Sequence, residues 1–198
     1  MTFLERIRSS LNLAVLLKDD LSPDKLAFGE LYLEVEEKKR DIIRNSTGHF
    51  LLIDLPEGKQ TITGSGYYYS KGTRAIEVKQ GKVFIGNVPV NAINPVISIT
   101  LNPKSNYPFP EGITIITGKI IDANYKPIDG ASIKVTEFPL KSAISEPGGG
   151  FFIRFDSADG NRNITLTVKK DGYKTLKKVF FLKKDTPTRI GTIMFTKL

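Results

Sequence analysis

A chain of 198 residues that is 40% hydrophobic and 25% charged has the composition of a folded protein, long enough for one large domain or two of roughly 100 residues. With no cysteine, disulfide staples, thiolate nucleophiles and cysteine-held metal centres are excluded. The single histidine means that any His-based chemistry must use His49, and the formal net charge of +8 raises the question of an anionic partner.

The basic residues come mostly as pairs, Lys169-Lys170, Lys177-Lys178 and Lys183-Lys184, with Lys38-Lys39-Arg40 following Glu36-Glu37. Lysines of this kind commonly sit on strand edges and turns, where they discourage edge-to-edge pairing. The expectation is therefore a solvated basic surface and no nucleic-acid partner.

From the N-terminus, Phe3, Leu4 and Ile7 stand at helical spacing among Glu5, Arg6 and Arg8, which predicts a short amphipathic helix or turn over residues 1–10. The following Leu11-Asn12-Leu13-Ala14-Val15-Leu16-Leu17 runs into Lys18-Asp19-Asp20 with no small-x-small site, so it is read as a strand rather than a signal peptide. No apolar run approaches the ~20 residues that span a bilayer. Membrane insertion is not expected, and a cytoplasmic location is the default reading.

Asp19 to Asp24 is turn chemistry, and Leu31, Leu33 and Val35 then alternate with polar neighbours as in a half-buried strand. After Asn45-Ser46-Thr47-Gly48 come His49 to Leu55, the turn Pro56-Glu57-Gly58, and a strand opening at Lys59. Tyr67-Tyr68-Tyr69 follows, then short β-like pieces at 75–78 and 82–85, the apolar loop 86–94, and the β-branched closing strand 95–101. Asn102 to Gly112 holds three prolines and no periodicity, which predicts a stiff extended linker.

Beyond it, 113–121 reads as a strand and 122–127 as a turn, leading through Asp129-Gly130 to Ala131, Ile133 and Val135 on one face. Gly148 to Gly150 opens Phe151 to Phe155, Ile164 to Val168 alternates cleanly, and strands over 177–182 and 192–196 close the chain. Gly29 pairs with Gly130, Gly48 with Gly149 and Gly66 with Gly172, and Pro95 to Leu101 matches Arg189 to Phe195, so the halves look like two copies of one unit.

In the second half, Ile121-Asp122-Ala123-Asn124-Tyr125-Lys126-Pro127-Ile128-Asp129-Gly130-Ala131-Ser132-Ile133, with Gly149-Gly150-Phe151 and Gly172-Tyr173, resembles a carboxypeptidase regulatory-like domain. That family belongs to the transthyretin-like, prealbumin-type β-sandwiches. Tyr125 stands where the family pattern prefers glycine, and in the first half no Pro-Ile-x-Gly-Ala element precedes the matching residues. The resemblance implies an all-β chain of two tandem transthyretin-like or immunoglobulin-like Greek-key sandwiches: 1–101, a linker 102–112, and 113–198. It implies an appended positioning or adhesion module, and it carries over no zinc peptidase site, since the enzymes of that name hold zinc in a separate catalytic domain.

Chemistry outside the resemblance is sparse. Asp19, Asp20 and Asp24, or Asp156, Asp159 and Asn161, offer clustered oxygens but match no calcium loop. Gly148 to Gly150 lacks the following Lys-Ser/Thr and helix of a phosphate cradle, and His49 at a strand start suits a surface or capping role. No catalytic residue, cofactor or metal is expected. Two stretches offer candidate partner-binding residues. Tyr67, Tyr68 and Tyr69 near Lys71 and Arg74 form a stacking platform or, on strand alternation, core plus rim. Val88, Val90 and Ile93 sit in a loop-like setting where apolar side chains must cover something, the chain's own flank or a partner. The reading is a non-catalytic structural or protein-interaction module of a larger assembly; the alternative is a carbohydrate- or cell-surface-binding module.

Overall fold

The structure, a computed structural model, describes residues 11–36 and 42–198. The helix expected over 1–10 and the run Lys38-Lys39-Arg40 lie outside the described residues. What is described is all-β, strands joined by turns and one 3-10 turn at Ser157–Asp159. The chain divides into two compact units, 1–103 and 104–198.

The first unit comprises β1 (Leu11–Asp19), β2 (Ser22–Leu26), β3 (Leu31–Val35), β4 (Ile43–Arg44), β5 (Phe50–Ile53), β6 (Gly58–Gly66), β7 (Tyr69–Lys79), β8 (Lys82–Ile85), β9 (Val88–Pro89) and β10 (Val96–Leu101). One sheet runs β10-β1-β5-β4 with β2 beside β1, and the other runs β3-β6-β7-β8-β9. The first and last strands lie side by side and parallel, from Ala14↔Val96 to Asp19↔Leu101. Alternation sends Leu13, Val15 and Leu17 of β1 and Ile97, Ile99 and Leu101 of β10 inward, toward Leu33, Val35, Ile62, Ile76 and Val78 of the facing sheet. Each such side chain removed from water contributes roughly 1.5–3 kcal/mol. The sheets approach closely at Gly64, where a Cβ would stand 2.5 Å from Leu17, and at Gly72, where it would stand 2.7 Å from the Thr100 carbonyl.

The second unit comprises β11 (Thr114–Asp122), β12 (Ser132–Val135), β13 (Ser142–Ile144), β14 (Gly150–Phe155), β15 (Arg162–Lys169), β16 (Leu176–Leu182) and β17 (Pro187–Phe195). Its sheets run β14-β11-β17 and β13-β12-β15-β16. Again the first and last strands pair in parallel, from Ile115↔Pro187 to Asp122↔Phe195. Ile116 and Ile120, Phe151, Ile153 and Phe155, and Ile193 and Phe195 from one sheet share a core with Ile133, Val135, Ile164, Leu166 and Val168 from the other. This is a β-sandwich.

The proline-rich segment read as a linker belongs, from Lys104 onward, to the second unit. Tyr107 and Phe109 are buried, Phe109 packs on Phe152 at 5.1 Å between ring centroids, and Glu146 accepts the Ser105 N–H and hydroxyl at 2.8 and 2.9 Å. Proline holds this stretch extended, and its aromatic residues seat it on β14.

The same backbone hydrogen bonds recur within each unit. Ala27 N–H donates to Leu17 O at 2.8 Å, and Ile128 N–H to Ile120 O at 3.0 Å. In the turn before β5, Gly48 donates to Asn45 and Asn45 to His49; before β14, Gly149 donates to Glu146 and Glu146 to Gly150. Gly48 and Gly149 have φ of 85° and 75°, and Gly29 and Gly130 of 79° and 66°. Ser70 donates to Asn102 as Lys174 does to Thr196, both at 2.9 Å, beside the bridges Tyr69↔Pro103 and Tyr173↔Lys197. Tyr69, not Tyr67, thus makes in its unit the bridge that Tyr173 makes in the other, and Gly66 does not hold the place of Gly172 that the glycine spacing predicts. The element that sequence pattern missed in the first half is Leu26-Ala27-Phe28-Gly29, which occupies the backbone place of Pro127-Ile128-Asp129-Gly130.

Candidate interaction surfaces

Tyr67 to Tyr69 do not lie in one strand. Gly66 pairs with Tyr69, leaving Tyr67 and Tyr68 as the two turn residues of the β6–β7 hairpin, so period-2 alternation does not apply to them. Tyr69 is fully buried and its hydroxyl donates to Asp19 Oδ2 at 3.0 Å; Tyr68 is half-buried; Tyr67 is 58% exposed. The Tyr67 and Tyr68 rings meet edge-on at 4.9 Å, and Tyr68 lies 5.6 Å from Phe28, an aromatic member that the sequence reading did not include. Its signal is the glycine that follows: a Cβ at Gly29 would stand 3.2 Å from Tyr68, so Gly29 makes room for the ring.

Nearby, Tyr32 is held above its ordinary pKa, chiefly by its hydrogen bond to Glu30, then by desolvation and the Glu30 charge.

The apolar loop is partly a hairpin. Ile85 pairs with Val88 and Phe84 with Pro89, with Gly86 at φ 60° in the turn. Val88 is 68% and Ile93 96% exposed, whereas Val90 is half-buried and donates its N–H to Val83 at 2.8 Å. Asn91 Oδ1 accepts the Ile93 N–H at 2.8 Å, which fixes the loop tip. In the second unit, β16 and β17 are joined by residues 183–186 alone.

Of the remaining polar candidates, Asp19, Asp156, Asp159, Asn161 and His49 have structural partners. Asp19 is buried, and its Oδ1 accepts the Leu21 N–H at 2.8 Å, as Asp122 Oδ1 accepts those of Asn124 and Lys126 at 2.8 and 2.9 Å. Asp156 pairs with Lys141 at 3.4 Å, Asp159 accepts the Asp156 N–H, and Asn161 accepts that of Lys184. His49 Nδ1 lies 2.8 Å from the Thr47 hydroxyl. Gly148 and Gly149 belong to the turn into β14, which Gly150 opens. Among the described residues no group of three or more His, Asp or Glu is placed to hold a metal ion, and no helix is long and apolar enough to cross a membrane.

In the second unit, alternation gathers side chains that are far apart in sequence. On the outer face of β12, β15 and β16 lie Ser132, Lys134, Thr165, Thr167, Lys169, Lys177, Val179 and Phe181. Of the pairs Lys169-Lys170 and Lys177-Lys178, only the first member of each is on this face, and Lys183-Lys184 lies beyond β16. At one end, Glu137 Oε2 and Oε1 accept the Thr165 N–H and hydroxyl, both at 2.8 Å. Desolvation pushes the Glu137 carboxyl up, but these hydrogen bonds and that from its own backbone outweigh it and hold the group below the ordinary carboxylate value.

No protein-family model matches the chain, and no curated protein matches it. Among solved structures it is similar to the Bacillus anthracis TIE protein at 14% identity, covering 95% of this chain and 34% of that one, with a TM-score of 0.35. It is also similar to shaft pilin spaA from Lactobacillus rhamnosus GG at 10% identity, 95% and 98% coverage, TM-score 0.34. A mutant cohesin–X-dockerin complex from Acetivibrio cellulolyticus matches at 20% identity, 42% and 58% coverage, TM-score 0.32. The chain thus spans about a third of the first and somewhat over half of the last.

Proposed function

We propose that this chain is a non-catalytic structural or protein-interaction module that works as a component of a larger protein assembly. The observation that carries the reading is the β8–β9 extension with the loop that follows it, which exposes Val88 beside the hairpin turn and Ile93 in the loop, where the second unit has only residues 183–186. Exposed apolar side chains held by strand pairing, as Val88 is, or by an Asx turn, as Ile93 is, gain on contact with a partner. The two units are copies of one transthyretin-like sandwich of the carboxypeptidase regulatory-like kind, in tandem. The shared hydrogen bonds at Ala27 and Ile128, Gly48 and Gly149, and Ser70 and Lys174 support this. Residues held in common are then scaffold, and partner recognition falls to the parts that differ.

The test is affinity purification from the native cell with the wild type and with Val88→Asp/Ile93→Asp. Both positions are exposed, so thermal unfolding is expected to change little. A specific co-purifying protein is expected to be retained at least tenfold less by the variant; equal retention would overturn the assignment of the loop.

A further inference from the structure

The charge of the chain is not shared evenly. Residues 104–198 carry sixteen Lys and Arg against nine Asp and Glu, while residues 1–103 carry thirteen against twelve. The positive excess therefore belongs almost wholly to the second unit, and part of it is ordered on one face.

Strand register arranges that face in rows. Lys134 is directly opposite Thr167, and Thr167 opposite Lys177. In the next row Ser132 is opposite Lys169, and Thr175 stands immediately before β16. Ammonium and hydroxyl groups thus alternate across three strands, at the ~4.8 Å inter-strand spacing, with neighbouring rows ~7 Å apart. These residues, with Thr136 and Pro139, line a shallow depression of about 560 Å³. Among the described residues no ion pair engages Lys134, Lys169 or Lys177; Lys79 pairs with Glu77 and Lys141 with Asp156. The bordering carboxylate, Glu137, is turned to Thr165.

Continuing along β16 past Lys177, the outward positions are Val179 and Phe181, 60% and 52% exposed. An extended ligand along this strand meets charge first and then apolar surface. We propose that the outer face of β12, β15 and β16 binds an anionic polysaccharide, a chain of carboxylated or sulfated sugars. The acid groups would pair with Lys134, Lys169 and Lys177, and the sugar hydroxyls with Ser132, Thr167 and Thr175. The C–H faces of the sugars would lie on Val179 and Phe181. Point-charge lysines interleaved with hydroxyls suit such a polymer, whereas phosphate recognition favours the arginine fork and base recognition a series of stacking rings; this face has no arginine and one aromatic ring. The inference does not depend on the protein-binding role of the β8–β9 tip.

The full chain is titrated with polygalacturonate and with dextran sulfate at low and physiological salt, the two probes separating carboxylate from sulfate recognition. Micromolar or tighter binding of at least one probe is expected, weakening with salt. Lys134→Gln/Lys169→Gln/Lys177→Gln should reduce affinity about tenfold, the size expected of three exposed ion pairs. The charge-matched control Lys183→Gln/Lys184→Gln/Lys197→Gln should reduce it about twofold at most. In the wild type, bound polymer should also protect Lys134, Lys169 and Lys177 from acetylation, a readout that needs no variant. Absence of binding to both probes, equal loss in the two triples without selective protection, or equal affinity for a single-stranded oligonucleotide on the same lysines would overturn the proposal.

Discussion

The outer faces of the two β3-β6-β7 and β12-β15-β16 sheets share a register and differ in chemistry. Where the second unit sets Lys134, Thr167 and Lys177 across three strands, the first sets Glu34, Thr63 and Thr73. Even the capping habit is kept: Glu36 N–H donates to Thr61 O as Thr136 N–H does to Thr165 O, and a carboxylate reaches back to each threonine N–H, from Glu36 in one unit and Glu137 in the other. What the comparison teaches is that backbone hydrogen bonds and inward side chains define the sandwich, while outward positions and the strand connections are free to carry recognition.

The largest difference between the units is expected at their turn glycines. Gly48 and Gly149 both have left-handed φ, but a Cβ on Gly149 would stand 2.3 Å from the Ile120 carbonyl, whereas on Gly48 it would stand 2.8 Å from the flexible end of Leu26. Gly149→Ala should cost about 3 kcal/mol or more, combining left-handed strain with a backbone displacement, and Gly48→Ala about 1–2 kcal/mol. Denaturant unfolding of the two variants checks the order; a reversed order would show that the turns are not seated alike.

A smaller difference is expected at the paired tyrosines. Tyr69 is fully buried and donates to the buried Asp19, whereas Tyr173 stacks on Phe195 at 5.1 Å and is only partly buried. Tyr69→Phe should therefore cost about 1–3 kcal/mol and Tyr173→Phe under about 0.5 kcal/mol, measured in the same way.

The smallest effect should be a gain. Tyr125 adopts φ 61° with its side chain 76% exposed, in the turn position where the resembling family prefers glycine. Tyr125→Gly is expected to leave stability unchanged or raise it by up to about 1 kcal/mol, because relief of the left-handed conformation outweighs the added freedom of the unfolded chain. A clear loss would mean that the exposed ring has a role in the turn.

Much of this fold was legible in the sequence. Ile164, Leu166 and Val168 alternate so regularly that strand, face and core followed from period alone, and the turn glycines at 29, 48, 130 and 149 marked conformations that other residues adopt only with strain. Ala27-Phe28-Gly29 is not legible from a Pro-Ile-x-Gly pattern, because the backbone there requires only a buried apolar residue and a left-handed glycine. The tyrosine triple was misplaced because nothing local marks where a hairpin turns when neither turn residue is glycine or proline. Lysine pairs read as undifferentiated surface because neighbouring residues point to opposite faces of a strand, and only register across β12, β15 and β16 shows which lysines meet.

The central claim is that recognition resides where the two sandwiches differ, above all at the β8–β9 tip. Its most direct measurement is quantitative co-purification by wild type, Val88→Asp/Ile93→Asp, and Leu140→Asp, the last a control at an equally exposed apolar residue of the second unit, 96% exposed like Ile93. A specific partner is expected to be lost with Val88→Asp/Ile93→Asp and kept with Leu140→Asp. Retention by the tip variant, or equal loss from both, would contradict it.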